Sequence, residues 1–201
     1  MKKIKLFILD DHDSVRESYK QWLTSEGYEI VGEGRSIKDC VQIVKKAKPD
    51  IVLMDIDFPE KEKGGLIAAS RIKREIKDVK IIFISHYNDP DVIAEAFNSG
   101  ADGYFSKSDE LKFLKETIEK VYNNYTIVSP TVTKNLLKTI SGKTYHIQYS
   151  HIKPKINLTN QETIVLNYIA EGLSNKEIAQ KLNTNEKRIK NIISNILVKL
   201  E

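Results

Sequence analysis

Apolar positions along this chain follow two rhythms. Over the first ~125 residues, short unbroken apolar runs alternate with segments whose apolar residues recur every three or four positions. The runs predict strands near 4–10, 28–33, 51–55, 80–84 and 102–105; the periodic segments predict helices near 14–26, 36–47, 64–76, 90–98 and 109–123. Ile51-Val-Leu-Met54 and Ile81-Ile-Phe-Ile84 show no polar alternation, as expected of strands covered on both faces. Alternating strands and helices imply βαβ units and a five-stranded parallel doubly wound sheet, an α/β fold.

From Asn123 the rhythm breaks. Residues 131–141 read as one short helix with Pro130 near its start, and residues 142–157 lack helical period and read as a linker. Residues 159–200 read as all-helical. Thr159-Asn-Gln-Glu162 and Ser174-Asn-Lys-Glu177 are capping boxes, in which a hydroxyl and a carboxylate satisfy each other's orphan backbone N–H groups. Gly172 suits a left-handed helix end, and Asn185 suits an N-cap. Ile189, Ile192, Ile193, Ile196, Leu197 and Leu200 form an apolar stripe on the last helix. Two short helices joined by a tight turn match a small all-α helix-turn-helix. The expected organisation is a domain over 1–125, a linker with a possible short helix over 126–157, and a helical domain over 158–201.

Charge sharpens this division. Residues 1–125 carry 21 Lys and Arg against 23 Asp and Glu, whereas 126–201 carry 11 against 5. An acidic half suits cations and a basic half suits phosphates. The single cysteine, Cys40, excludes an internal disulfide and fits a reducing cytoplasm. No apolar stretch approaches the ~20 residues of a membrane span, so a cytoplasmic protein without membrane contact is expected.

Four of the predicted strands end in chemically useful residues: Asp10 and Asp11, Asp55, Ser85, and Lys107. Open parallel sheets bind ligands outside the carboxyl ends of their strands. Clustered carboxylates repel one another, and a hard cation such as Mg²⁺ (or Mn²⁺) relieves this through oxygen ligation. In such a crevice Asp55 can attack phosphorus as a nucleophile, with Ser85 and Lys107 holding the phosphoryl oxygens.

Residues 1–122 resemble the receiver domain of two-component response regulators. The Asp pair precedes Asp55 by 45 and 44 positions, Ser85 follows it by 30 and Lys107 by 52; Pro59 and Tyr104 also fall on family positions. The resemblance implies a flavodoxin-like sheet of order 2-1-3-4-5, with Asp55 as phosphoacceptor. It places Mg²⁺ on Asp11, Asp55 and the Asp57 backbone carbonyl, with Asp10 acting through water. Ser85 and Tyr104 become a switch pair and Lys107 the phosphate contact. The chain departs from the family in the loop Asp57-Phe-Pro-Glu-Lys-Glu-Lys-Gly64-Gly65, which is one or two residues longer than the family's usual loop and unusually charged. Asp57 adds a carboxylate beside the expected path of the hydrolytic water, so it is expected to alter acyl-phosphate lifetime.

Residues 158–200 resemble the LuxR-type helix-turn-helix of NarL/FixJ response regulators, through Leu158-Thr159, Glu162, Val165-Leu166, Gly172, Ser174-Asn-Lys-Glu-Ile-Ala179, Leu182, Ile189-Lys190 and Lys199-Leu200. By that resemblance the helix from 185 enters the major groove, with Lys187, Arg188, Lys190, Asn191 and Ser194 able to reach DNA. Lys190, Asn191 and Ser194 are the base-edge candidates, while Lys176 and Thr159 suit phosphate. Arg188-Ile-Lys-Asn-Ile192 departs from the usual family sequence. Family members continue into a fourth, dimerising helix; either it is lacking here or dimerisation relies on the receiver.

The expected function is a DNA-binding transcriptional regulator switched by phosphorylation. A sensor histidine kinase phosphorylates Asp55, the face around 90–98, 102–105 and 109–123 is reshaped, and a homodimer grips double-stranded DNA. The receiver's own phosphorylation and dephosphorylation are then its only chemistry, and it is not otherwise an enzyme. Two alternatives stand beside this. One is a phosphorelay receiver whose helical end binds protein. The other is a haloacid-dehalogenase-type phosphatase, suggested by the hydrophobic strand and Asp55-Ile-Asp57, although there the acidic pair lies downstream of the motif rather than upstream.

Overall fold

The computed structural model describes residues 3–141 and 158–199. The expected linker over 142–157 lies outside the described residues.

Six parallel strands form one sheet in the order β2-β1-β3-β4-β5-β6. They are β1 (Lys5–Leu9), β2 (Glu29–Gly34), β3 (Ile51–Met54), β4 (Lys80–Ser85), β5 (Gly103–Ser106) and β6 (Ile127–Val128). Helices α1 (Asp13–Ser25), α2 (Cys40–Ala47), α3 (Gly64–Glu75), α4 (Pro90–Asn98) and α5 (Leu111–Tyr122) provide the crossovers. The apolar runs Ile51–Met54 of β3 and Ile81–Ile84 of β4 are buried along their whole length, each facing a helical layer on both sides. Phe7, Leu9, Val52, Met54, Ile81 and Phe83 face one layer; Leu6, Ile8, Ile51, Leu53, Ile82 and Ile84 face the other, as the two-residue period of a strand requires.

The doubly wound α/β fold and its 2-1-3-4-5 order are present, with one strand more than expected. Ile127 and Val128 pair with Gly103 and Tyr104, inside the segment read as linker. Two apolar residues are too short a run to register as a strand; the open edge of β5 recruits them. Helix α2 also begins later than the 36–47 expectation. Asp39 adopts a left-handed φ of 58° and the Ser36 hydroxyl accepts from Lys38 N, so 36–39 form a turn rather than a helical start. Asp109, expected inside the fifth helix, instead accepts from Thr131 N and Oγ1 and so caps α6 (Pro130–Ser141).

The C-terminal unit contains α7 (Asn160–Ala170), α8 (Asn175–Lys181) and α9 (Glu186–Lys199). Both capping boxes form as expected: Glu162 N donates to Thr159 Oγ1 and Glu177 N to Ser174 Oγ, and each glutamate accepts from the cap's backbone N–H in return. Gly172 takes a left-handed φ of 81°, and Asn185 Oδ1 accepts from Arg188 N.

This unit docks on the receiver. Helix α9 lies against α4 more extensively than against α7 or α8. Five of the nine residues of α4 are buried, because the sheet covers one of its sides and α9 the other. Asn175 adds a polar joint, donating through Nδ2 to Thr126 Oγ1 at 2.6 Å and through its backbone N–H to Asn124 O at 3.3 Å.

Candidate functional site

The parallel sheet delivers Asp10, Asp55, Ser85 and Lys107 to its carboxyl edge from β1, β3, β4 and β5. Lys107 Nζ lies 2.6 Å from Asp55 Oδ2 and 3.1 Å from Asp10 Oδ2, bridging the two carboxylates. The remaining oxygens are held locally: Asp55 Oδ1 accepts from Ile56 N at 2.7 Å, and Asp10 Oδ1 from His12 N at 2.8 Å.

Burial and charge set the proton affinities. Burial pushes the Asp55 carboxyl above its ordinary range; Asp10 adds to this, and Lys107 opposes it without overcoming it. Burial also works against ionised Asp10, but there the His12 N–H and the Lys107 charge win and hold the carboxyl low. Burial opposes the Lys107 charge most strongly of any one cause, but its hydrogen bonds and charge pairing with Asp55 and Asp10 together outweigh it and hold the ammonium above its usual value. Asp55 is thus the more proton-hungry carboxylate of a pair that shares one cation.

The switch candidates are linked through one residue, Tyr87. Ser85 Oγ accepts from Tyr87 N at 3.1 Å, and the hydroxyl of the fully buried Tyr104 donates to Tyr87 O at 2.8 Å. The Asp57 carboxylate beside the Tyr87 hydroxyl holds that phenol above its usual range. Asp57 Oδ1 accepts from Lys63 N at 3.2 Å, and Lys63 Nζ reaches Glu95 on α4 at 2.8 Å. The charged loop is therefore tied at one end to the strand-end site and at the other to α4. Gly65 makes its close return possible, since a Cβ there would sit 2.0 Å from the Asp55 carbonyl oxygen.

Asp10, Asp11, His12 and Asp55 bring ligand atoms within 4.8 Å of one another. Asp11 Oδ1 is buried without a hydrogen-bond partner. A carboxylate set with an orphaned oxygen fits a divalent cation. His12 is not among the sequence candidates, although its adjacency to the Asp pair is a signal the sequence carries.

Around the helix-turn-helix, Lys176, Lys187, Arg188 and Asn191 are exposed, whereas Ser194 is buried in this arrangement. Lys190 points inward and bonds Asp102, which is only 2% exposed. Asp102 also pairs with Lys73 at 2.7 Å and Lys80 at 3.8 Å and accepts from Ile81 N at 2.9 Å. Burial opposes its ionisation, but the three lysines prevail and hold its carboxyl low. Asp102 was not singled out from the sequence, because its role depends on a helix that arrives from nearly ninety residues away.

The chain matches two family models: the response regulator receiver domain over residues 6–119 and the LuxR family of bacterial regulatory proteins over residues 156–201. It is 32% identical to the transcriptional regulatory protein DegU of Brevibacillus brevis, covering 98% of this chain and 88% of that protein. It is 30% identical to the response regulator VraR of Staphylococcus saprophyticus, covering 98% and 90%. A solved structure of RcsB from Salmonella enterica serovar Typhimurium, bound to a promoter in the presence of a phosphomimetic, shares the fold with TM-score 0.62 at 22% identity, covering 99% of this chain and 92% of that one. Among the described residues no helix is long and apolar enough to cross a membrane. With a receiver sheet, its acidic strand-end cluster and a LuxR-type helix-turn-helix in one polypeptide, this chain belongs to the LuxR-type response regulators, DNA-binding transcriptional regulators controlled by phosphorylation.

Proposed function

We propose that Asp55 is the phosphoacceptor and that the structure represents the resting, closed form of the regulator. The observation that carries this reading is the Lys107 ammonium 2.6 Å from Asp55 Oδ2, where it meets an incoming phosphoryl group. A carboxylate oxygen of Asp55 attacks the phosphorus of a phosphohistidine on a sensor kinase. The P–N bond breaks, the imidazole leaves with a proton, and an acyl phosphate forms. Hydrolysis by water returns the carboxylate and inorganic phosphate. Asp10, Asp11, Asp55 and the Asp57 carbonyl are the residues that would hold Mg²⁺, whose charge offsets that of the phosphoryl oxygens. Lys107 then pairs with the phosphoryl group rather than with Asp10.

Ser85 is the second contact. Turning its hydroxyl to a phosphoryl oxygen releases Tyr87 N, and with it the residue whose carbonyl holds Tyr104 and whose hydroxyl lies beside Asp57, the start of the Asp57–Lys63–Glu95 chain onto α4. Helix α4 carries α9 on its opposite side, so a shift there loosens the DNA-reading helix. In the open form Lys187, Arg188, Lys190 and Asn191 meet the major groove and Lys176 meets phosphate, while Ser194 becomes accessible only if α9 leaves α4. A homodimer then presents two such helices one DNA turn apart. The receiver spans residues 1–125, its sheet extended by β6 from the connecting segment, with the helix-turn-helix over 158–201.

Incubation with acetyl phosphate and a divalent cation, followed by phosphate-affinity electrophoresis, tests the reading. The wild type should shift and Asp55→Asn should not; a shifted Asp55→Asn would refute it. Duplex binding that rises on phosphorylation and falls steeply with salt supports DNA output, whereas no duplex binding in either state favours a protein-binding output.

A further inference from the structure

The carboxylate cluster contains a group that the phosphoacceptor reading does not use. His12 Nδ1 lies 2.8 Å from Asp11 Oδ1 and 3.4 Å from Asp10 Oδ1. The closer approach is at ion-pair distance, yet it leaves the buried Asp11 Oδ1 without an aligned hydrogen bond. Two potential ligand atoms at this distance are spaced like neighbouring ligands on a common ion: cis ligands on an octahedral ion with ~2.1 Å bonds sit about 3.0 Å apart. The backbone supports the arrangement, since His12 N donates to Asp10 Oδ1 and fixes the turn that aims the ring back at the cluster. His12 is the N-cap of α1 yet makes no side-chain cap bond, so its imidazole is not engaged in holding the helix. Its side chain is 65% exposed, so ligation displaces only water.

We propose that His12 is a direct ligand in this site and makes it selective for imidazole-preferring divalent transition ions, of which Ni²⁺ is the probe, over Mg²⁺. Carboxylates alone favour hard ions such as Mg²⁺ and Mn²⁺; one imidazole nitrogen adds affinity for Ni²⁺, Zn²⁺ and Cu²⁺ and little for Mg²⁺. The receiver thereby becomes responsive to which cation the cell supplies, as well as to its kinase. This inference rests on the cluster being the cation site of the proposed function.

Calorimetric titration of the full chain with NiCl₂ and, separately, MgCl₂ tests it, using wild type, His12→Ala and Asp55→Asn. His12→Ala should weaken Ni²⁺ binding at least about tenfold and change Mg²⁺ binding less than twofold. Excess Mg²⁺ should compete with Ni²⁺ in the wild type, and Asp55→Asn should weaken both ions. Unchanged Ni²⁺ affinity in His12→Ala, or equal losses for both ions, overturns the role of His12 while leaving the cation site standing. Failure of the wild type to bind Mg²⁺ at all, or Asp55→Asn binding both ions normally, overturns the site itself and the inference with it. As an independent readout, adding Zn²⁺ to ¹⁵N-labelled protein should shift the His12 Nδ1 resonance; a shift confined to the other histidines overturns the proposal.

Discussion

The substitution Asp102→Asn removes the charge that holds Lys190 without touching any residue proposed to reach DNA. The introduced amide still offers an oxygen to Ile81 N, so the start of β4 keeps its hydrogen bond. What changes is the closed state. A unit-charge pair about 3 Å apart at an effective dielectric of 20 is worth about 5–6 kcal/mol before desolvation. The net value of a charge-assisted hydrogen bond is about 1.5–3 kcal/mol. The lower part of that range applies because Lys190 keeps 28% of its side-chain surface in water. In the variant, Lys190 also meets Lys73 and Lys80 without the intervening carboxylate, a repulsion felt only when α9 is docked. Any loss of receiver stability is common to the closed and open forms and cancels in their ratio. A shift of about 1.5–2 kcal/mol raises the open population, and hence apparent DNA affinity, roughly ten- to thirtyfold until the open form predominates. Fluorescence anisotropy with duplexes selected by the phosphorylated wild type, at one fixed salt concentration, measures this on the unphosphorylated variant. Affinity within twofold of wild type, in a variant whose circular dichroism shows it folded, refutes the latch. Wild-type chains lose this restraint without orphaning a buried charge, because Asp102 retains Lys73 and Lys80 when Lys190 departs.

Three further outcomes are expected. Asp55 has a carboxyl pKa raised by burial, so its ionised form costs stability that grows as pH rises through the carboxylate range. Asp55→Asn should therefore raise the thermal midpoint by about 2–4 °C at pH 7, with the gain shrinking toward about pH 4; a lowered midpoint at pH 7 contradicts this. Gly65→Ala should destabilise the receiver by about 2–4 kcal/mol in urea unfolding, because the new methyl has only backbone to push against, 2.0 Å from Asp55 O. A loss under about 0.5 kcal/mol would show that the loop gives way easily. Asp57→Ala removes the acceptor of Lys63 N and the carboxylate beside Tyr87 and should change the rate of acyl-phosphate hydrolysis severalfold in a phosphate-release assay, whereas identical rates sink that role.

Local spacing determined a large part of this protein. The apolar runs defined the strands, and a strand's end places its next residue at the sheet edge whatever the rest of the chain does; hence Asp10, Asp11, Asp55, Ser85 and Lys107 were all legible. Thr159–Glu162 and Ser174–Glu177 were equally legible, because a capping box is complete within four residues. What depended on distant partners was not. Ile127 and Val128 are strand only because β5 leaves an open edge beside them. The stripe of Ile189, Ile192, Ile193, Ile196 and Leu197 reads as one apolar face, but it packs into a core that also contains Val92, Ile93, Ala96 and Phe97 of α4. Periodicity reports that a face is buried, not how many neighbours bury it. Lys190 carried the clearest mismatch between the two levels: by sequence it is a lysine aimed at bases, and in the fold it is the counter-ion of a buried carboxylate 88 residues away. The residue's type determined that it would seek an anion, and only the docking of α9 on α4 decided that the anion in this state is Asp102 rather than DNA.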